Sequence, residues 1–154
     1  MIPLEFRDAQ DKEDPNHGRH LRFLYDLLRE RLDQASVNIT HVKMPSYEDH
    51  VLFVEGQSGY EAHFVIVNEG DPTQMFATLY VTDRCEIGIT VARSHQDKGY
   101  GRWILETFLS EFPGTYYANI NPENFKSQKL FGSLGFKPLQ YTYKLEGKTD
   151  VAAD

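Results

Sequence analysis

The sequence predicts an α+β domain built on a mixed β-sheet. Some stretches alternate apolar and polar residues with the period of a strand, and others repeat apolar residues at helical spacing. In order, these stretches predict a strand, two helices, three meandering strands, a helix, a strand, a helix and a last strand. A meander combined with strands separated by helices is typical of an α+β domain with a mixed, mostly antiparallel sheet.

The size and composition of the chain are those of one folded domain. A chain of 154 residues, 40% of them hydrophobic and 13% aromatic, is long enough for a single core. We therefore predict one domain over residues 1–146 and a frayed tail over residues 147–154. No apolar run approaches the ~20 residues of a membrane span, and no cationic start followed by an apolar stretch predicts a signal peptide, so the expected compartment is the cytoplasm.

The net charge and the single cysteine limit the kinds of partner and cofactor that the chain is expected to bind. A net charge of −7 argues against nucleic acid, because nucleic-acid-binding proteins carry basic patches. Cys85 alone can form neither an internal disulfide nor a metal cluster, so no metal is expected. The expected partner is a small molecule rather than a membrane or a nucleic acid, and the chain is expected to be a monomer or a homodimer.

The first half of the chain carries the first predicted strand and two helices. Residues 2–6 alternate weakly and predict the strand. From Arg19 onward the apolar residues fall at i, i+3, i+4, i+7 and i+11, the pattern of one helix face: Leu21, Leu24, Tyr25, Leu28 and Leu32. Ser46 is placed to cap a short second helix from Tyr47 to about Val54.

Three strands follow, and turn residues separate the first two. Residues 60–68 and 74–82 are rich in β-branched and aromatic residues, with turn chemistry at residues 69–72. Residues 85–91 form the next predicted strand, and its Glu86 lies on the opposite face from Ile87.

The second half predicts two more helices and two more strands. A helix extends through Ile104 to Phe112, and residues 115–120 form the fifth strand. Asn121 is the predicted N-cap of the last helix, with Pro122 in its first position and Gly135 as its left-handed C-cap beside Phe136. Residues 139–145 alternate and predict a final strand.

A glycine-rich loop, Gln96-Asp97-Lys98-Gly99-Tyr100-Gly101, lies between the fourth strand and the third helix. The first N–H groups of a helix have no partner within it, and the helix dipole is positive there, so this position suits an anion. No Gly-Lys-Ser/Thr ends the loop, which excludes a P-loop, and a third glycine for a dinucleotide fingerprint is missing. By itself, the loop is equally consistent with a flexible connection before a capped helix.

The loop and a later segment together resemble the GNAT superfamily of acyl-CoA N-acyltransferases. That family carries Gln/Arg-x-x-Gly-x-Gly/Ala before its third helix, and Gln96, Gly99 and Gly101 match it. It also carries Asn-x-x-Ser/Ala followed by Gly-Phe, which Asn124-Phe125-Lys126-Ser127 and Gly135-Phe136 match. The resemblance covers residues 60–145.

The resemblance implies acetyl-CoA as acyl donor and a sheet splayed between its fourth and fifth strands. Pantetheine would pair with the backbone of the fourth strand, and the pyrophosphate would lie on the amides of the loop. The residues implied in cofactor binding are Ile89, Thr90, Val91, Gln96, Asp97, Lys98, Gly99, Tyr100, Gly101, Arg102, Asn124, Ser127 and Phe131.

Two residues are candidates for the proton transfers of a direct acetyl transfer. In its register, Glu86 resembles the glutamate that serves as general base in some family members. The alternatives are a Glu86 that pairs with a neighbouring cation or faces water, and a water relay from His50, His63 or Tyr80. Phe131 stands where many members have the tyrosine that protonates the leaving thiolate. Ser127, one turn earlier, is the substitute, or else a small residue that lets the helix approach the cofactor.

The resemblance identifies the acceptor only as a primary amine. The first hypothesis is a small-molecule N-acetyltransferase, with a nucleotide-linked amino sugar as its narrower form. That form rests on the arginines of the first helix, which suit diphosphate contacts although a solvated face is the favoured interpretation: Arg19, Arg22, Arg29 and Arg31. The others are a protein N-terminal or lysine acetyltransferase and a CoA-binding module without turnover.

Overall fold

Four antiparallel strands form the central sheet of the protein. The structure is a computed structural model, and it describes residues 2–34 and 43–147. The strands follow one another in space as they do in sequence, and each pairs with the next. They are β1 (Leu4–Asp8), β2 (Tyr60–Asn68), β3 (Asp71–Thr82) and β4 (Ile87–Val91). The sheet confirms the predicted α+β class and the predicted meander of three strands.

Helices are packed against both faces of the sheet. They are α1 (His17–Leu32), α2 (Tyr47–Leu52) with a π-helical turn at Phe53–Gln57, α3 (Tyr100–Glu111) and α4 (Phe125–Ser133). A 3₁₀ turn, Arg93–His95, precedes the glycine loop. Ser46 caps α2 as predicted, since its hydroxyl accepts the Asp49 N–H at 3.1 Å. None of the described helices is long and apolar enough to cross a bilayer.

The alternation of β2 creates a core on each side of the sheet. Val65 and Val67 point to one face and pack with Leu21 and Leu24 of α1. Ile66 points to the opposite face, where the larger core contains residues of β3, α3 and α4. All three side chains are fully buried, so the position of β2 in the middle of the domain is fixed by both cores.

The start of α4 corrects one prediction. The helix begins at Phe125, and its N-cap is Asn124, whose side chain accepts the Ser127 N–H at 3.2 Å. The predicted cap, Asn121, instead closes the preceding turn by accepting the Glu123 N–H at 2.8 Å. Both asparagines are good caps by residue type, so composition could not separate them.

The end of α4 is confirmed in detail. Gly135 has a φ of 99°, the left-handed conformation expected after a helix. The Phe136 N–H then bonds to the carbonyl of Phe131 at 3.1 Å, and the two rings meet edge to face at 5.0 Å.

Two predicted strands are wrong in the structure. Residues 115–120 form only one parallel bridge, in which Tyr117 pairs with Glu86, the residue before β4. Residues 139–145 have no ladder partner among the described residues. Alternation shows that a segment can form a strand, but tertiary placement decides whether an edge lies beside it. The predicted tail lies outside the described residues from position 148 onward, and the domain bounds stay a prediction.

Candidate active site

The outer edge of β4 presents free backbone groups. Even-numbered residues of β4 exchange backbone hydrogen bonds with β3. The backbone bonds that Glu86 and Ala92 form with β3, one at each end of β4, establish this alternation. Odd-numbered residues therefore direct their N–H and C=O groups outward. The Ile87 N–H bonds to Tyr117 at 2.7 Å, and the Val91 carbonyl accepts from the Gln96 amide at 3.0 Å. Between them, both backbone groups of Ile89 lack a partner among the described residues.

This geometry refines the predicted pantetheine contacts. The backbone of Ile89 and the N–H of Val91 face the open edge, where an extended ligand can pair with them. The backbone of Thr90 faces β3, opposite Thr78, so it cannot pair at the same edge.

The glycine loop presents a row of unpartnered amides next to this edge. Asp97 and Gly99 have positive φ angles of 61° and 86°, and these bends turn the chain into α3. Within the described residues, no acceptor binds the N–H groups of Asp97–Arg102. Consecutive free N–H groups at a helix start form a cradle for an anion.

Contacts with α4 hold the loop in place. Lys126 forms an ion pair with Asp97 at 2.9 Å, and Arg102 donates to the Ser133 hydroxyl at 2.8 Å. A Cβ added at Gly101 would lie 3.4 Å from Leu130, so the two helices approach closely there. The two sequence motifs that carry the resemblance are thus adjacent in space.

Other predicted cofactor residues have structural contacts of their own. Lys98 donates to the Ser94 carbonyl at 3.3 Å, and Asn124 caps α4. Phe131 is only 4% exposed and belongs to the core, and Tyr100 is likewise buried. Ser127 is half-buried, and its hydroxyl has no hydrogen-bond partner in the described part of the chain.

Glu86 lies just before β4, and two neutral donors hold its carboxylate. Thr82 donates to one oxygen at 3.1 Å, and the amide of Asn119 donates to the other at 2.9 Å. No lysine, arginine or histidine of the described residues forms an ion pair with it. The structural ion pair that was the alternative for Glu86 is therefore not formed there.

A row of tyrosine and histidine side chains lies on the face of the sheet that carries Glu86. Tyr80 lies directly opposite Gly88, and its ring occupies the space that a Cβ at position 88 would need. Tyr60 stacks on Tyr80 with ring centroids 4.3 Å apart, and His63 meets the Tyr60 ring edge-on at 5.1 Å.

Burial controls the charge state of this row. It lowers the pKa of His63 to about 4, with a smaller contribution from nearby His50, and it raises the pKa of Tyr60. His63 is therefore uncharged near neutral pH. Sequence reasoning missed Thr82 and Asn119 as partners of Glu86, and it missed Tyr60, which joins the row by stacking on Tyr80.

Three of the four α1 arginines have partners in their own helix region, whereas Arg31 lies near Tyr60. Arg22 and Arg29 both form ion pairs with Asp26, at 3.5 and 3.6 Å, and both lie over the ring of Tyr25. Arg19 donates to Asn16 at 2.7 Å. These side chains are engaged within their own helix region.

An open strand edge, a loop of free amides and a carboxylate thus lie along β4, and comparison with known proteins gives the family. The sequence matches the Acetyltransferase (GNAT) family over residues 22–136. The chain belongs to this family, and it is by class an acetyl-CoA-dependent N-acetyltransferase. The resemblance and enzyme class predicted from the two motifs are thus confirmed. No curated protein sequence matches the chain.

Solved structures of low identity share the fold. One is yncA from Salmonella typhimurium with its cofactor acetyl-CoA, at 20% identity and a TM-score of 0.64 over 88% of this chain and 79% of that chain. A phosphinothricin acetyltransferase from Sinorhizobium meliloti in complex with acetyl-CoA has 19% identity and a TM-score of 0.64 over 88% and 75%. The spermidine/spermine N-acetyltransferase SpeG from Vibrio cholerae has 19% identity and a TM-score of 0.61 over 87% and 79%.

Proposed function

We propose that this protein transfers the acetyl group of acetyl-CoA directly to a primary amine of a small molecule. The observation that carries the proposal is the continuity of three features along one path. The free amides of Asp97–Arg102 adjoin the open edge at Ile89, and the carboxylate of Glu86 lies at the far end of the same strand.

In this arrangement the loop binds the pyrophosphate. The amides supply uncharged donors, and the positive end of the α3 dipole favours the ligand's negative charge. Arg102 also forms an ion pair with Glu106 at 3.5 Å, so its guanidinium is shared with α3. The backbone therefore provides most of the recognition. The pantetheine then lies along Ile89 as an added strand.

Glu86 acts as the general base of the transfer. It takes a proton from the acceptor ammonium, directly or through water, and the free amine attacks the thioester carbonyl. The C–S bond breaks, and the coenzyme leaves as a thiolate. We assign the proton that the thiolate gains to the Ser127 hydroxyl, which is unpartnered in the described chain, and the serine regains a proton from the attacking nitrogen as that nitrogen becomes the amide. Water is the alternative donor.

For the acceptor, we propose a chemical class and not one compound. The related folds act on chemically different amines, namely spermidine and phosphinothricin. The narrower proposal of a nucleotide-linked amino sugar requires a diphosphate site, and three of the four α1 arginines that suggested it are engaged with Asp26, Tyr25 and Asn16. A small primary amine is therefore the proposal, with an amino sugar as one member of the class.

A coenzyme-release assay tests the proposal. Acetyl-CoA is incubated with the wild type against amino sugars, spermidine, phosphinothricin and peptides, and Glu86→Gln is the matched control for uncatalysed release. We expect amine-dependent release with at least one small amine and much less in the variant. Release only with peptides indicates a protein acetyltransferase. Stabilisation by acetyl-CoA without release from any acceptor indicates a module that binds the coenzyme without turnover.

A further inference from the structure

Arg31, in the last turn of α1, is a half-buried arginine whose guanidinium has no hydrogen-bond or ion-pair partner within residues 2–34 and 43–147. It follows Leu24 and Leu27 by seven and four positions, so it lies on the face of α1 that these buried leucines turn toward the sheet. A partly buried charge without a counter-charge is unfavourable, because it loses contact with water and gains no partner in exchange. The position of Arg31 therefore indicates a site for an anion that is not part of the chain.

The end of α1 that carries Arg31 is held beside the sheet. Its neighbour Glu30 accepts the Arg93 N–H at 2.9 Å, and this contact joins α1 to the turn that follows β4. The positive charge of Arg31 acts on Tyr60, since burial raises the pKa of this tyrosine and Arg31 opposes the rise. The guanidinium therefore lies next to the row of tyrosine and histidine side chains.

Tyr60 also borders the carboxylate of Glu86. It lies opposite Thr82 in the register of β2 and β3, and the Thr82 hydroxyl donates to Glu86 at 3.1 Å. Its ring stacks on Tyr80, two positions before Thr82 on the same face of β3. A cation and an anion, Arg31 and Glu86, thus lie near the same tyrosine, and no ion pair joins them in the described part of the chain.

The histidines of this region do not compensate the charge of Arg31. Burial lowers the pKa of His50 and of His63, so both rings are uncharged near neutral pH. The Nδ1 atom of each ring is buried and lacks a hydrogen-bond partner among the described residues. Neutral rings of this kind can hydrogen-bond to a polar ligand but cannot replace an anion beside Arg31.

We propose that the acceptor amine carries an acidic group, and that Arg31 binds this group while Glu86 takes the proton from the ammonium. The inference rests on the proposed acetyl transfer, because it assigns the second charged group of the same acceptor. A carboxylate and a phosphate both match the planar guanidinium, which donates two parallel hydrogen bonds to such oxygens. Arg31 thereby selects among amines and takes no part in the proton transfers.

Calorimetric titration of the protein loaded with coenzyme A tests this recognition without turnover, because the free coenzyme has no acetyl group to transfer. Two matched pairs of amines differ in the acidic group: glucosamine 1-phosphate against glucosamine, and alanine against alaninamide. We expect the acidic member of one pair to bind about 10- to 100-fold more tightly than its counterpart. A preference in the first pair identifies a phosphate, and one in the second pair identifies a carboxylate. Equal affinities within both pairs overturn the proposal.

Variants of two arginines in the same helix show whether Arg31 is responsible. Arg31→Gln removes the charge and should abolish the preference, whereas Arg31→Lys keeps the charge and should retain part of it. Arg29→Gln is the matched control, because Arg29 is exposed and forms an ion pair with Asp26 at 3.6 Å. It should bind the acidic amine as the wild type does. An undiminished preference in Arg31→Gln, or an equal loss in Arg31→Gln and Arg29→Gln, overturns the proposal.

Turnover with acetyl-CoA separates this inference from the proposed function. Arg31→Gln should raise KM for the acidic acceptor by the same factor and leave kcat nearly unchanged, because the contact is made equally in the ground state and the transition state. Binding that depends on Arg31, without coenzyme release from any amine, supports the anion site and contradicts the proposed transfer. Release that is equally fast in the wild type and Arg31→Gln for every amine supports the transfer and overturns the role of Arg31.

Discussion

The amide of Asn119 donates a hydrogen bond to Glu86 over 2.9 Å, and this contact links β4 to the segment of residues 115–120. Thr82 donates to the other carboxylate oxygen, so both oxygens are oriented by neutral groups. A carboxylate held in this way is positioned without being neutralised by a cation. It can therefore serve as the proton acceptor that an ammonium substrate requires.

Glu86→Gln should abolish most of the activity. Glutamine keeps the shape of the side chain and loses the ability to take up a proton. We expect kcat to fall by about 10²–10⁴ while the affinity for acetyl-CoA stays unchanged. Steady-state kinetics together with a direct binding measurement separates the two effects. Activity within a few-fold of the wild type excludes Glu86 as the base.

Asn119→Ala should have a smaller effect of the same kind. It removes one of the two donors that orient the carboxylate and leaves Thr82 in place. We expect kcat to fall by about tenfold, or ~1.4 kcal/mol of barrier, since the base remains but is less well held. Unchanged kcat would show that the contact has no catalytic consequence.

Ser127→Ala should slow turnover modestly. The serine hydroxyl is unpartnered in the described chain, and a thiolate leaves readily even without a donor. We therefore expect a decrease in kcat of about tenfold at most. Because the Ser127 N–H, rather than its hydroxyl, contacts the cap at Asn124, the fold of α4 should be retained. Full activity across the pH range would identify water as the donor and Ser127 as a spacer.

Local chemistry made much of the fold predictable. The bounds of β2 follow from its residue types. Gly135 indicates the end of α4, because few other residue types adopt its left-handed conformation. The glycine loop was recognisable for the same reason, since Gly99 has a φ of 86°.

Long-range features were not predictable from the sequence. Whether residues 115–120 form a full strand depends on how far they follow β4, and alternation contains no information on that distance. The contact of Asn119 with Glu86 spans 33 positions and follows only from the bridge at Tyr117. Likewise, nothing local distinguishes Asn121 from Asn124 as the cap of α4.

Stability should fall as the pH is lowered below 6.5, because His63 is buried uncharged. Burial lowers its pKa from 6.5 to about 4 in the folded state, so between these values the unfolded chain binds a proton that the folded chain does not. The stabilisation is complete above pH 6.5 and is lost by pH 4, a contribution of about 3 kcal/mol. Urea unfolding at several pH values measures it.

His63→Phe is the control for this pH dependence. It keeps a ring against Tyr60 and removes the titrating group. Burial also lowers the pKa of His50 and His20, so the variant should retain part of the slope. An unchanged slope in the variant would show that His63 does not contribute.

The free amides of Asp97–Arg102 are proposed to bind the phosphates of acetyl-CoA, and thermal unfolding of a matched pair of variants tests this binding most directly. Gly99 has a φ of 86°, which asparagine and aspartate both tolerate better than most residues. Gly99→Asn and Gly99→Asp therefore impose the same strain and differ only in charge. With acetyl-CoA at about 100 times its Kd, the ligand should stabilise the wild type by about 2.7 kcal/mol. We expect Gly99→Asn to keep most of this stabilisation and Gly99→Asp to lose it. Equal stabilisation of the two variants would contradict phosphate binding at this loop.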